Sequence, residues 1–314
     1  MPGYSLIAPA KINLHLEIIG DRVDGFHELV MVLQSISLAD RVEIVANNAP
    51  TIRLYCNHPQ MPLPEQNLAY KAAQLMTQQF PQVFASQGGV DITLDKRIPV
   101  AAGLAGGSAN GAAVLVGLNL LWNLGLTQPE LQVLAAQLGS DIPFCIAGGT
   151  AIATGRGEKL DSIASSRNLW VILAKYQSLE VSTAWAYTTY RQKFGDTYLR
   201  DDQSIQARTS YVHSSPLVEA IAHQDGSKIG QLLHNDLEKV VLPEYPQVSE
   251  LKAAFERPEV LGTMMSGSGP TVFALCATQA EAEKVAAAVK QAIDNPDLGM
   301  WIAQFTTHGI QVEP

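Results

Sequence analysis

A glycine-rich segment at residues 99–110 has the composition of an anion-binding loop. It reads PVAAGLAGGSAN, follows a strand-like segment and precedes a helix-compatible run. Gly103, Gly106 and Gly107 let backbone N–H groups approach an anion, and the helix behind them offers unpaired N–H groups and the positive end of its dipole. The segment therefore predicts a phosphate cradle, although it matches neither the GxxxxGKS/T loop nor the GxGxxG loop. Close helix packing of small residues is the alternative explanation.

Lys11, Asn13 and Asp141 are side chains suited to phosphoryl transfer. Lys11 and Asn13 lie two residues apart on a predicted strand, so both can point at one ligand. Asp141 follows a predicted helix end. A carboxylate can accept the proton of an attacking hydroxyl, and a nearby ammonium can stabilise the transferring phosphoryl group. A solvated strand face and a turn aspartate are the simpler interpretations of the two segments taken singly.

A second glycine-serine loop, MMSGSGPTVF, occupies residues 264–273. It precedes a strand-like segment, in contrast to the first loop, which precedes a helix. It is either a tight turn or a source of backbone donors that close over the first loop.

The elements that must position these residues alternate in type along the first half of the chain. Residues 10–19 alternate strictly, with Lys11, Asn13, His15 and Glu17 expected on one polar face. Further strands are predicted near 28–36, 40–45, 51–55 and 90–94, and helices at 67–80 and 129–138, the latter opened by a capping box.

The second half of the chain indicates a separate α+β unit with its own sheet. Strands are predicted at 169–174 and 271–276, and helices from 182, over 216–233, over 245–255 and from a capping box at 278–281. Residues 195–215 are polar and irregular, which predicts a mobile loop.

Composition excludes several classes of protein. The chain has 314 residues, 47% hydrophobic and 16% charged, an ordinary globular balance that predicts two packed domains. Its net charge of −9 and the absence of a dense Lys/Arg run argue against nucleic-acid and membrane partners. Three widely spaced cysteines (Cys56, Cys145 and Cys276) without a CxxC pair predict buried thiols rather than disulfides or structural zinc.

The first residues lack the charged start and apolar core of a secretory signal. The longest apolar stretch, near 111–122, is too short to span a bilayer. A cytoplasmic enzyme of small-molecule substrates is therefore expected, and the sequence leaves the oligomeric state open.

Three motifs occur in the order found in GHMP kinases, the superfamily named for galactokinase, homoserine, mevalonate and phosphomevalonate kinases, and they resemble that family's motifs. They are PAKIN at 9–13, PVAAGLAGGSA at 99–109 and SGSGP at 266–270. GDRVDGFHEL at 20–29, LGSDIPF at 138–144, VSTAWAY at 181–187 and NDLE at 235–238 resemble the branch that phosphorylates a cytidine diphosphate-linked polyol. The resemblance covers nearly the whole chain, and the motifs are specific in combination.

The resemblance implies a fold and an activity. The fold is α/β plus α+β, with a ribosomal-S5-like N-terminal ATP-binding domain (1–165) and a ferredoxin-like C-terminal domain (166–314), the active site lying between them. The activity is direct transfer of a phosphoryl group from ATP, with Mg²⁺, to the 2-hydroxyl of a cytidine diphosphate-linked methylerythritol, in non-mevalonate isoprenoid precursor synthesis.

The resemblance also implies roles for individual residues. Asp141 would be the catalytic base and Lys11 its electrostatic partner. The acceptor would contact Asn13, Phe26, His27, Thr183 and Tyr187, with Phe26 and Tyr187 sandwiching the cytosine and His27 reading its edge. ATP would contact Lys96, Pro99, Gly103, Leu104, Ala105, Gly106, Gly107, Ser108 and Ala109, with Ser108 near Mg²⁺ and residues 67–71 nearby.

The chain departs from the usual motif at three places in the first loop. Ala101 and Ala105 stand where glycines are frequent, and residues 109–111 read Ala-Asn-Gly. Another acceptor, such as mevalonate, homoserine or a sugar, remains an alternative, because its kinase would not need the cytosine clamp. A binding protein that has lost its chemistry is disfavoured by the presence of both Lys11 and Asp141, and an RNA-binding S5-like domain by the acidic charge.

Overall fold

The computed structural model describes residues 2–47, 49–59, 63–165 and 168–313. Its strands are β1 (Gly3–Asp21), β2 (His27–Ala46), β3 (Ile52–Cys56), β4 (Val90–Asp95), β5 (Thr150–Gly155), β6 (Lys159–Ile163), β7 (Trp170–Tyr176), β8 (His234–Asn235), β9 (Gly262–Met265), β10 (Val272–Cys276), β11 (Leu298–Gln304) and β12 (Gln311–Val312). Its helices are α1 (Leu68–Gln79), α2 (Pro81–Gln87), α3 (Gly106–Leu121), α4 (Gln128–Ala136), α5 (Ile142–Ala147), α6 (Thr183–Phe194), α7 (Asp202–Tyr211), α8 (Pro216–Ala222), α9 (Gly226–Gln231), α10 (Glu238–Glu244), α11 (Pro246–Glu256) and α12 (Gln279–Ala292).

The first sheet is built on the long antiparallel pair β1–β2. Its main path runs β12-β1-β2-β4-β3, β5 and β6 extend it from β2, and the short β8 pairs in parallel with β1. Helices α1, α3, α4 and α5 cover one face of this sheet around a common apolar core. This is the α/β layer expected of the N-terminal half.

The second sheet has the order β11-β7-β10-β9, with all neighbours antiparallel. In chain order its strands are 4-1-3-2, and helices connect the first strand to the second and the third to the fourth. That is the ferredoxin-like arrangement, so the predicted fold class is confirmed.

The two sheets share their apolar cores. One core cluster contains Leu14 and Val32 of the first sheet together with Leu173 and Phe273 of the second. Continuous apolar packing of this kind disfavours large relative motion of the two units.

We propose the boundary between the units at residues 165 and 166, between the end of β6 and the start of β7. Residues 166 and 167 lie outside the described ranges. The C-terminal half returns to the first sheet twice, through β8 and β12, so the units are interlocked rather than strung end to end.

A β-bulge reverses the faces of β1 at the point where the polar alternation looked most regular. The pairing of β1 with β2 shifts register between Asn13 and His15. Before the shift, Ile12 packs in one core cluster, and after it Leu16 packs in the other. An extra residue on one strand moves every following side chain to the opposite face.

The bulge corrects the expectation that four polar residues share one face. Lys11 and Asn13 line a large cavity, whereas His15 and Glu17 line a separate one of about 250 Å³. Lys11 and Asn13 are also buried, which rules out a solvated strand face for them.

Local signals placed several helices correctly. The capping boxes of Thr127 with Glu130 and of Thr278 with Glu281 are both present, at the starts of α4 and α12.

Cys145 and Cys276 are buried free thiols as predicted, whereas Cys56 on the edge strand β3 is half-buried. None of the helices within the described ranges combines the length and apolar character that a bilayer crossing requires.

The prediction of a mobile loop at 195–215 is wrong. About half of that segment is α7, capped by Asp201, whose side chain accepts a hydrogen bond from Ser204 N at 2.8 Å. Arg208 of this helix binds the Glu17 carboxylate through both Nε and Nη2. A tertiary ion pair therefore fixes a helix that has almost no apolar face of its own.

The single helix predicted at 216–233 is two helices, α8 and α9. They are separated at Gln224, which has a positive φ of 56°.

Candidate active site

A cavity of about 920 Å³ lies between the two glycine-rich loops. Both halves of the chain contribute to its wall. It is lined by all the predicted site residues except Ala109, namely Lys11, Asn13, Phe26, His27, Lys96, Pro99, Gly103, Leu104, Ala105, Gly106, Gly107, Ser108, Asp141, Thr183 and Tyr187. Ala109 is on the buried side of α3, and its N–H donates to Ala105 O at 2.9 Å. We therefore leave Ala109 out of the candidate site.

Lys11 and Asp141 meet at the centre of this cavity. Lys11 Nζ lies 3.9 Å from Asp141 Oδ2 and donates to Asn13 Oδ1 at 2.8 Å. The first distance is too long for a hydrogen bond, so the carboxylate keeps its accepting capacity. Asn13 is fully buried and directs the ammonium group. The ammonium and the carboxylate thus lie side by side, but neither uses its hydrogen-bonding capacity on the other.

The Asp141 carboxylate is not used to support the fold. Asp141 is the residue before α5, but its side chain makes no capping hydrogen bond. Its backbone carbonyl instead accepts from Cys145 N at 3.1 Å. The side chain is 34% exposed, into the cavity that it lines. The backbone of Asp141 therefore does take part in the turn before α5, but its carboxylate does not and is available for chemistry.

The first glycine loop is joined to its neighbours by its own carbonyl groups. Lys11 N donates to Leu104 O at 3.1 Å, and Ser266 Oγ donates to Gly103 O at 3.1 Å. Its N–H groups stay available instead, because α3 has no side-chain cap at its start and its first residues precede the first intrahelical bond. The loop therefore presents backbone donors at the positive end of a sixteen-residue helix.

The alanines that replace the more usual glycines sit where glycine would be favoured. Ala101 and Ala105 have φ values of 50° and 55°, in the left-handed region. Such a conformation costs an L-residue about 1–2 kcal/mol. The chain holds both alanines there, so the cradle keeps its shape despite the substitutions.

We expect Gly103→Ala to destabilise the protein more than the same change at Gly125. Both glycines have positive φ (72° and 69°), so both changes carry the left-handed penalty of about 1–2 kcal/mol. A Cβ at 103 would overlap the Ser266 carbonyl oxygen, whereas one at 125 would meet nothing within 4 Å. The overlap should cost about 1–3 kcal/mol more, measured as the free energy of unfolding in urea. Equal losses in the two variants would show that the two loops are not in firm contact.

The second glycine loop is fixed by a buried asparagine that sequence reasoning left without a role. Asn235 Nδ2 donates to Met265 O and to Gly267 O, both at 2.8 Å. Beside it, the hydroxyls of Thr183 and Ser268 lie 2.8 Å apart. Gly267 and Ser268 line the cavity, so the loop closes it from the second sheet's side.

Lys96 belongs to a buried polar network beneath the first loop. Its ammonium is paired with the Asp40 carboxylate and donates to Asn110 Oδ1 at 2.9 Å. Asp40, which is 1% exposed, also accepts from Asn110 Nδ2 and from the backbone N–H groups of Arg97 and Ile98. The network ties the end of β2 to the first turns of α3. Lys96 thus lines the cavity as one half of an ion pair rather than as a free cation.

The aromatic residues gather at the other end of the cavity, on the hairpin of residues 21–27, here called the clamp hairpin, and on α6. The His27 and Tyr187 rings are stacked, with centroids 5.2 Å apart and 23° between their planes. Phe26 is 50% exposed, and the Arg156 guanidinium carbon lies 5.3 Å from its ring centroid. Both Phe26 and Tyr187 line the cavity, but each is stacked with another side chain.

The protonation states of the two clamp residues follow from their surroundings. Burial, and then the Arg191 guanidinium, lower the pKa of His27, with Asp21 acting in the opposite direction. His27 is therefore neutral at pH 7 and can both donate and accept hydrogen bonds. Burial, and then the Asp141 carboxylate, raise the pKa of the Tyr187 phenol, so its hydroxyl stays protonated.

Basic side chains outnumber carboxylates among the described residues that line the cavity, although the chain carries a net charge of −9. Lys11, Lys96, Arg156 and Arg191 line it, and Asp141 is the one carboxylate among its described lining residues. Three of these cations are paired with carboxylates, Lys96 with Asp40, Arg156 with Glu158 and Arg191 with Asp21, so their charge is partly offset. No cluster of three His, Cys, Asp or Glu side chains able to hold a metal occurs within the described ranges.

Several residues at the site escaped sequence reasoning. Arg156 and Arg191 are single cations within ordinary segments, and no local pattern distinguishes them. Asn235 and Asp40 are buried polar residues whose partners are distant in sequence. Asn110 was noted only as a departure from a motif, although its place four residues after Gly106 puts it on the helix face next to the loop.

Two family models match separate parts of the chain. The N-terminal domain of GHMP kinases matches residues 67–149, and the C-terminal domain of GHMP kinases matches residues 217–295. A 4-diphosphocytidyl-2-C-methyl-D-erythritol kinase from Gloeothece citriformis is 65% identical over 313 residues, which cover 100% of this chain and 99% of the relative.

Solved structures give the same result. The crystal structure of a 4-(cytidine 5'-diphospho)-2C-methyl-D-erythritol kinase, 30% identical, matches with a TM-score of 0.74 over 96% of this chain and 98% of the other. A homoserine kinase from Cytophaga hutchinsonii, 19% identical, shares the fold with a TM-score of 0.75 over 100% and 98% of the two chains. With matches to both domain models and near-identical length to its relatives, the chain belongs to the GHMP kinase family.

Proposed function

We propose that this kinase transfers the γ-phosphoryl group of ATP to the 2-hydroxyl of 4-diphosphocytidyl-2-C-methyl-D-erythritol, a step in non-mevalonate isoprenoid precursor synthesis. The observation that carries the proposal is the content of one cavity. It holds a phosphate-binding loop, the Lys11–Asp141 pair and an aromatic clamp. The names of the similar proteins point to the same acceptor.

The central pair accounts for the chemistry of the acceptor hydroxyl. Asp141 accepts the proton of the 2-hydroxyl as its oxygen attacks the γ-phosphorus, and the bond to the leaving oxygen of ADP breaks. Lys11, whose ammonium is oriented by Asn13, stabilises the negative charge on the attacking oxygen and on the transferring phosphoryl group. Transfer is direct and forms no phosphoenzyme.

The first glycine loop binds the phosphates of ATP. The N–H groups at the start of α3 point at the anion, and the helix dipole adds to their effect. Lys96, together with the cavity-lining Asn67 and Leu68 at the start of α1, lies on the nucleotide side of the cavity.

The donor set fits Mg²⁺ held mainly by phosphates. Mg²⁺ binds through one or two protein oxygens, with substrate phosphates and waters filling its octahedron. The Ser108 hydroxyl lines the cavity and supplies a hard oxygen donor. When bound with ATP, Mg²⁺ would neutralise charge between the β- and γ-phosphates.

The clamp accounts for the cytidine end of the acceptor. A pyrimidine offers its faces to Phe26 and Tyr187 and its polar edge to the neutral His27. Thr183 lies between the clamp and the second glycine loop, where the sugar or diphosphate would pass.

Turnover by the purified protein tests this assignment. With ATP and Mg²⁺ present, we expect ADP formation with 4-diphosphocytidyl-2-C-methyl-D-erythritol and a kcat/KM at least about 10⁴-fold lower with mevalonate or homoserine. Those acceptors would leave the polar groups of the clamp unpaired, which is the strongest basis for rejection. CDP alone should raise the melting temperature if the clamp binds cytidine. Comparable turnover with mevalonate or homoserine would contradict the assignment of the clamp to cytidine, while the assignment of the first glycine loop to the ATP phosphates would stand.

A further inference from the structure

Arg191 lies one helical turn after Tyr187 on α6, so the two side chains project from the same helix face. Both are directed at the clamp hairpin. Tyr187 stacks on His27, and the Arg191 guanidinium reaches the base of the hairpin. One helix face therefore carries both a wall of the clamp and a contact to the opposite wall.

The Arg191 guanidinium donates hydrogen bonds to the clamp hairpin at two points. Its Nε donates to Asp21 Oδ1 at 2.7 Å, and its Nη2 donates to Gly25 O at 3.1 Å. Asp21 is the last residue of β1, and Gly25 occupies the turn directly before Phe26. The planar fork of arginine suits two acceptors held at a fixed spacing, and such charge-assisted bonds are directional.

Apart from the Tyr198 hydroxyl, which lies 3.4 Å from His27 Nδ1, and the Arg156 guanidinium over Phe26, most of the remaining polar contacts of the clamp hairpin are local. Arg22 binds the carboxylates of Asp24 and Glu28, and Arg22 N donates to Phe26 O at 2.9 Å. Val23 at the tip is fully exposed. The hairpin is thus a preformed unit whose tip is not held by burial, and its orientation relative to α6 depends on contacts between the two elements.

We propose that Arg191 is a positioning residue that sets the spacing of the acceptor clamp by fastening the clamp hairpin to α6. The proposal rests on the proposed function, because it concerns the same cytidine site. Arg191 acts through Asp21 and Gly25, which place Phe26 and His27 opposite Tyr187. A clamp of fixed spacing binds the flat base without first having to be ordered, which favours affinity.

The charge of Arg191 adds a second, separable effect at His27. The groups facing the imidazole are Asp21 and the Tyr198 hydroxyl, each 3.4 Å from Nδ1, together with Tyr187 and Arg191. Arg191 opposes protonation of His27 and also engages Asp21. Removing its charge would leave Asp21 to favour the imidazolium, so the pKa of His27 would rise.

Two substitutions separate geometry from charge. Arg191→Gln should raise the KM for the cytidine acceptor and the dissociation constant of CDP on the order of tenfold, since two charge-assisted bonds are lost. The KM for ATP should stay within about threefold, and the His27 pKa, followed by ¹⁵N NMR, should rise. Arg191→Lys keeps the charge but cannot span both acceptors, so KM should rise while the His27 pKa stays unchanged. Lys193→Gln, which removes an exposed cation from the same helix, is the matched control.

Equal increases in both KM values, or an effect of Lys193→Gln equal to that of Arg191→Gln, would overturn the positioning role. So would an unchanged CDP dissociation constant in Arg191→Gln. Failure of the proposed function is seen separately, in the wild-type protein. If the wild type does not phosphorylate the acceptor but binds CDP, weaker CDP binding by Arg191→Gln still supports the role of Arg191. If the wild type does not bind CDP at all, both proposals fail.

Discussion

Replacing Asp141 with asparagine is expected to lower kcat by about 10²–10⁴-fold while leaving the fold intact. Asparagine has nearly the same shape as aspartate, and its amide cannot take the hydroxyl proton. The Asp141 side chain caps no helix and is partly exposed, so the substitution should change the free energy of unfolding little. Steady-state kinetics with both substrates, together with the melting temperature of the variant, measure the two effects.

Binding should survive this substitution. The loop that is proposed to hold ATP and the clamp that is proposed to hold cytidine do not depend on the Asp141 carboxylate for a hydrogen bond. ATP and CDP dissociation constants within about threefold of the wild type would therefore locate the defect in the chemical step. Asp202→Asn, an exposed change at the start of α7, controls for loss of one negative charge. A kcat within threefold of the wild type would remove Asp141 from the role of base.

The sequence was informative where short-range patterns determine structure. The glycines of the first loop, the capping boxes at Thr127 and Thr278 and the period-2 strand at β1 each carry a signal within a few residues. Their order along the chain also carries the family resemblance. The fold class, and the meeting of Lys11, Asp141 and the two glycine loops in one cavity, were therefore predictable from the sequence.

The β-bulge in β1 shows where such patterns fail. A strict alternation over 10–19 predicted one polar face, but β1 gains an extra residue against β2 between Asn13 and His15. Nothing local marks the shift, because it is set by how the partner strand packs. The result separates Lys11 from Glu17 and gives Glu17 a different partner, Arg208 of α7.

The same limit explains the residues that were missed. Asp40 and Lys96 are 56 positions apart, and Arg191 and Asp21 are 170 apart. A charged residue within an ordinary segment does not indicate whether its partner lies in a distant element. Lys96 was predicted near the nucleotide, but its pairing with a fully buried carboxylate is a tertiary fact that follows only from the fold.

Replacing Lys11 with methionine is expected to lower kcat by about 10²–10³-fold, the usual cost of losing one preorganised donor to the transition state. Methionine keeps most of the length and the apolar stem, so the change removes the ammonium with little change in volume. It leaves Asn13 Oδ1 without its donor in a fully buried position, which should cost about 1–3 kcal/mol of stability. The kinetic and stability losses are measured by initial rates and by urea unfolding.

A second buried lysine supplies the matched control. Lys175 on β7 is 2% exposed, and its ammonium donates to Tyr176 O and Gln177 O, both at 3.1 Å. It does not line the cavity. Lys175→Met should therefore change stability to a similar extent and leave kcat within about twofold. If both variants lose kcat in proportion to their loss of stability, Lys11 has no electrostatic role.

The double variant decides whether Lys11 and Asp141 act as one unit. If Lys11 stabilises the charge that arises when Asp141 takes the proton, its contribution largely disappears once Asp141 cannot take it. Residues that act together in this way show losses far smaller than the product of the single effects. We therefore expect Lys11→Met with Asp141→Asn to be within about tenfold of the slower single variant. Fully multiplicative losses would mean that Lys11 stabilises the transferring phosphoryl group independently of Asp141. The proximity of the two side chains, 3.9 Å between Lys11 Nζ and Asp141 Oδ2, would then not contribute to catalysis.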